Sequence, residues 1–207
     1  MKFQLSAALM GLAATAVSAQ YNQTGPFYLQ IKGTNAGSSI NGFASSCHAG
    51  AAIEGLCYGD TTSPNGTYFE YYFNYTGYTD VGGSDVGILV WNLPYTDQDG
   101  NPAFESESMG LVYQINSNVA APLFGLSNLD FSIGFDSENK AFGYDYIEDS
   151  TFTPGQEPAS NEGKAYYQWA VCWQYFTGYF YQSVAWVQVG NPTNPTCEPI
   201  DLIKVPV

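Results

Sequence analysis

The sequence contains no arginine, a single histidine (His48) and only five lysines, against 19 Asp and Glu, for a formal net charge of −14 over 207 residues. A chain without a basic stripe cannot track a phosphate backbone, so nucleic acid is excluded as a partner. One histidine, with four cysteines of which no two are spaced as Cys-x-x-Cys, leaves zinc without a ligand set. Charged residues make up only 12% of the chain. Disorder is nevertheless excluded, because 17 Tyr, 13 Phe and a 45% hydrophobic content supply enough apolar surface to offset chain entropy. Beyond residue 19 no run approaches the ~18 uncharged apolar residues of a membrane span. Nor does any long segment keep the i, i+3, i+4 apolar spacing of a helix.

The chain opens on an export signal. Lys2 is followed by an apolar, Ala-rich run from Leu5 to Val17, and Val17-Ser18-Ala19 offers small residues at the cleavage positions. Residues 1–19 therefore read as a secretory signal peptide cut before Gln20, and residues 20–207 as one extracellular domain that spans no membrane. Its charge is four Lys minus 19 acids, or −15. Cys47, Cys57, Cys172 and Cys197 form an even set, for which an oxidising compartment predicts two disulfides. Of the three pairings the local one is favoured, Cys47 with Cys57 and Cys172 with Cys197, since each closes a short loop worth about 3 kcal/mol of chain entropy. Sequons at Asn22, Asn65 and Asn74 are consistent with a glycoprotein.

Short runs rich in Val, Ile, Tyr, Phe and Trp recur between Gly, Pro, Asn and Asp clusters, and eight of them read as strands: 27–32, 68–75, 86–93, 109–116, 129–135, 141–147, 166–176 and 179–189. That number suits an all-β fold, a two-sheet antiparallel β-sandwich or jelly roll. The last two runs flank Thr177-Gly178 as a two-residue turn, which sets the register: Phe176 faces Tyr179, Trp173 faces Gln182, Val171 faces Val184 and Trp169 faces Trp186. Packed inward, this aromatic face is core. Exposed, it is a platform for sugar rings.

Three patterns bear on chemistry. Tyr68-Phe69-Glu70-Tyr71-Tyr72 resembles the strand that carries the nucleophile in small fungal xylanases of the jelly-roll type, and the resemblance implies Glu70 as a nucleophile. It breaks down at the acid/base partner, because the last two strands contain no Asp or Glu. Asp97, Asp99 and Asn101 place oxygen atoms close together, but Gly100 and Pro102 depart from an EF-hand loop, so they read as a turn and only weakly as a calcium site. His48 would need Ser45 or Ser46 as a nucleophile, and no Gly-x-Ser-x-Gly elbow presents one; a hydrogen bond from His48 to a nearby carbonyl is the plainer expectation.

The order of signal peptide, FYLQIKG, SINGFASSCHAGAAIEGLC, YFEYYFNY and GILVWNLPY resembles a group of small secreted fungal proteins of unknown chemistry, some of which plants recognise as elicitors. The resemblance implies an extracellular, non-enzymatic role at the fungus–host surface and carries over no active-site residue. The expected function is therefore that of a monomeric, cofactor-free binding protein. Asp97, Asp99, Glu105, Glu107, Glu148, Asp149, Glu157 and Glu162 would form an acidic surface for cationic extracellular proteins, such as basic host defence proteins. The alternative is a carbohydrate-binding module or jelly-roll glycoside hydrolase.

Overall fold

The computed structural model describes residues 21–125, 130–157 and 162–207, and the expected signal peptide, residues 1–19, lies outside them. The described residues form strands, short 3-10 turns and loops, with no α-helix. The organising strand is β5 (Ser84–Thr96), 13 residues long. One edge pairs with β4 (Tyr71–Val81); the other pairs first with β8 (Ser132–Phe135) and then with β6 (Pro102–Val112). From β4 the ladder continues through β1 (Asn22–Gly33), β13 (Glu198–Pro206), β11 (Trp169–Phe176), β12 (Tyr179–Val187), β3 (Ile53–Gly59) and β7 (Val119–Phe124) to β6, and so returns to β5. The result is a closed nine-stranded β-barrel. Outside the ring, β2 (Asn41–Gly50) bridges β1 and β3, while β9 (Ala141–Asp145) and β10 (Lys164–Tyr166) extend β8.

Closure overturns the expected sandwich or jelly roll. A sandwich face and a barrel wall share one inward/outward alternation, so periodicity does not separate them. What closes this sheet is a change of partner along single strands. β1 pairs with β4 through its first half and with β2 through its second, and β5 changes from β8 to β6. The interior is packed rather than hollow: Trp91, Tyr71, Phe124, Leu29, Ile31, Leu56, Leu89 and Met109 all lie below 2% exposure.

The C-terminal hairpin has the register its turn predicts, with Phe176 opposite Tyr179, Trp173 opposite Gln182 and Trp169 opposite Trp186. Thr177 and Gly178 both have positive φ, as a two-residue hairpin turn requires. The aromatic face is divided. Trp169, Val171, Val184 and Trp186 are core, and Trp169 Nε1 donates to the Ala141 carbonyl at 2.9 Å. Trp173, nearer the tip, is 44% exposed and stacks on Phe180. On the opposite face Ala170, Cys172 and Ala185 pack with Val119, Val187 and Cys197 in a second small core.

Both expected disulfides are present, Cys47–Cys57 and Cys172–Cys197. The segment around the first, which none of the eight expected strands covers, is the β2–β3 hairpin, with Cys57 on a strand. The Pro-rich tail likewise leads into a full strand, β13, paired with β1.

Candidate functional site

Two carboxyl groups point into the barrel beneath the β2–β3 turn. Side chains alternate along a strand, so Glu54 shares its side of β3 with core Leu56, and Glu107 shares its side of β6 with core Met109 and Leu111. Cross-strand register brings them together. His48 stands opposite Glu54, Glu54 opposite Phe124, and Phe124 opposite Met109, one inward position from Glu107. Glu107 in turn faces Trp91, which faces Tyr71. The layer thus reads His48, Glu54, Phe124, Glu107, Trp91, Tyr71 around the wall. Its aromatic members are in contact, with ring centroids 5.9 Å apart for Tyr71–Phe124 and 6.4 Å for Trp91–Phe124.

Glu54 and Glu107 are only 8% and 7% exposed, and Oε2 of each is buried without a hydrogen-bond donor. Two ionised carboxylates this close repel each other and only accept; one proton removes the repulsion and supplies a donor. The environment favours that state. Burial, reinforced by the Glu54 charge and by Glu105, pushes Glu107 up to about 7. Burial also raises Glu54, opposed by a hydrogen bond from Glu107 and by His48. Burial thus favours the protonated form of Glu107, and one proton shared across the pair would relieve the repulsion and supply the missing donor. His48 Nδ1 lies 3.9 Å from Glu54 Oε1, beyond hydrogen-bonding distance. Its ring meets Tyr179 edge-on, in place of the backbone bond expected of it.

Gly125 completes the wall. Its φ is +85°, and a Cβ there would fall 2.2 Å from the Ala52 carbonyl oxygen and 3.1 Å from Glu107 Oε1. Tyr71, whose hydroxyl is buried without a partner, is held well above the usual phenol range by burial. Chemically the site can store and release one proton near neutrality, with the exposed His48 imidazole at its edge. It is not arranged for retaining glycoside hydrolysis, which needs two carboxyls flanking a sugar that reaches them from solvent; here both acids are buried in the packed barrel interior.

The residues singled out from sequence fare differently. Glu70 ends the 3-10 turn Thr67–Phe69 rather than riding a strand, so the resemblance that suggested a nucleophile loses its structural context. Asp97 closes its own loop: Oδ1 accepts from the backbone N–H of Asp99 and Asn101 at 2.9 and 2.8 Å, and these bonds hold its carboxyl below the usual range. Among the described residues no group of three His, Cys, Asp or Glu is placed to hold a metal ion. Glu107 leaves the acidic surface because it is buried. Asp99, Glu105, Asp149, Glu157 and Glu162 are exposed, Asp97 and Glu148 partly so. Of the sequons, Asn22 and Asn65 are exposed and Asn74 is half-buried. Sequence reasoning missed Glu54 and misplaced Glu107; Glu107 occupies the apolar phase of the alternating run Glu107-x-Met109-x-Leu111, which marks an inward acid, whereas Ile53-Glu54-Gly55-Leu56 carries no such alternation.

The fold and this layer define an all-β barrel domain with a buried acid pair. The model of DUF7907, a domain of unknown function, matches residues 24–206, and the chain belongs to that family. No curated protein and no solved structure matches the chain.

Proposed function

We propose that the protein is a secreted acidic binding protein that captures cationic extracellular proteins at a fungus–host surface through carboxylates on its loops and strand ends. The supporting observation is how its few cations are used. Lys140 is paired with Glu138 and Asp201, Lys164 with Glu148, and Lys204 lies 4.7 Å over the Phe135 ring, half-buried. Lys32 is the one remaining lysine of the described residues. The exposed carboxylates thus face solvent almost uncompensated, which steers positive partners and repels anionic polymers. Disulfides and the absence, among the described residues, of any helix long and apolar enough to cross a membrane are compatible with secretion. Asn65, on an exposed loop, is the sequon best placed to carry a glycan.

The test is titration of the mature protein with a basic protein and with a neutral one of similar size. A variant carrying Asp99→Asn, Glu105→Gln, Asp149→Asn and Glu157→Gln should bind the basic protein at least ~10-fold more weakly. Equal affinity of wild type and variant, or equal affinity for the neutral protein, contradicts the proposal.

A further inference from the structure

A groove of about 380 Å³ opens beside β4, β5, β8 and β9. Its origin is a break in one ladder. Tyr75 pairs with Gly87 and the next pair is Asp80 with Asp85, so residues 76–79 of β4 face only Val86 of β5. A strand with more residues than its partner must bulge, and bulges re-aim side chains beside binding sites. Gly77, at φ +76°, allows the bend, and Tyr78 N–H folds back to Thr76 Oγ1 at 3.4 Å. Thr76 and Thr79 are thereby carried to the groove.

In a domain of charge −15 this lining contains no ionisable acid or base apart from tyrosine. Three tyrosines, Tyr21, Tyr75 and Tyr144, stand with the hydroxyls of Thr76, Thr79 and Ser132 and the Asn74 amide. The volume is near the lower end of the roughly 300–1,000 Å³ of small-molecule sites. Aromatic faces with uncharged donors and acceptors complement one ligand class above others. A pyranose has apolar C–H faces that stack on tyrosine, equatorial hydroxyls that both donate and accept, and no charge for the protein's field to repel. Anionic ligands are opposed by the net charge, and cationic ones find no carboxylate in the lining. We propose that this groove binds a short neutral saccharide, free in the extracellular medium. The proposal does not depend on the capture of cationic proteins.

The experiment is calorimetric titration of the disulfide-bonded mature protein with three neutral trisaccharides, of β-1,4-linked N-acetylglucosamine, β-1,4-linked glucose and α-linked mannose, and with trigalacturonic acid. At least one neutral trisaccharide should bind while the anionic one does not, and Tyr144→Ala should weaken that binding at least ~10-fold. Tyr21→Ala, at an exposed position that the fold does not depend on, should weaken it as well and guards against a folding defect in the Tyr144 variant. Absence of binding to all three neutral sugars, equal binding of trigalacturonic acid, or binding unchanged in both variants overturns the proposal. If mass spectrometry finds a glycan on Asn74 and binding appears only after its removal, the groove seats the chain's own glycan, and the free-ligand assignment falls.

Discussion

Glu107 is the residue on which the physical account is most exposed to test. Its carboxyl is faced by Glu54 from β3, with His48 of β2 beyond, by Trp91 and Tyr71 from β5 and β4, and by Glu105 on its own strand. A carboxyl raised from an ordinary value near 4.5 to about 7 by folding binds its proton more tightly in the folded chain. Its contribution is fully present below the unfolded value and is lost as pH rises through about 7, at an eventual cost on the order of 3 kcal/mol. The melting temperature should therefore fall between pH 5 and pH 8. Glu107→Gln, which keeps a donor for Glu54 without the charge, should flatten that dependence and melt higher than wild type at pH 8. An unchanged slope would mean that the pair does not share a proton. Gly125→Ala should destabilise by about 2 kcal/mol in urea unfolding, since it combines a left-handed backbone with a collision against the Ala52 carbonyl.

At the scale of elements, what the sequence made legible was local. The Thr177-Gly178 turn specified the whole β11–β12 register, because a two-residue loop leaves no freedom in pairing. The cysteine pairing was legible because both loops are short. The β2–β3 hairpin was not, since its small residues carry no hydrophobic alternation; what orders it is pairing to β1 and β7 on either side. With it went Glu54. The β11–β12 hairpin yields a graded prediction: Trp169→Ala should cost about 3–5 kcal/mol in chemical denaturation and Trp173→Ala less than about 1, because one ring is core and the other half in water. Of the two disulfides, removing Cys172–Cys197 should cost more, by about 1 kcal/mol. It closes 25 residues against 10 and stands in the second core, whereas Cys47–Cys57 links two strands already paired.

For the whole molecule, composition set the sign of the surface field, but barrel closure had no mark in the sequence. Closure depends on β5 and β1 each holding different partners along one strand, and pairing between strands distant in the chain leaves no local periodicity. The field itself is the most general property of the fold, because lysines paired with acids or laid over aromatic rings leave the exposed carboxylates unopposed. The direct measurement is the dissociation constant of the protein for a basic protein as sodium chloride is raised from about 0.05 to 0.5 M, across which the Debye length falls from roughly 14 to 4 Å. Electrostatic capture predicts affinity that weakens at least ~10-fold over this range, chiefly through a slower association rate. Affinity and association rate that stay constant across the range would contradict it.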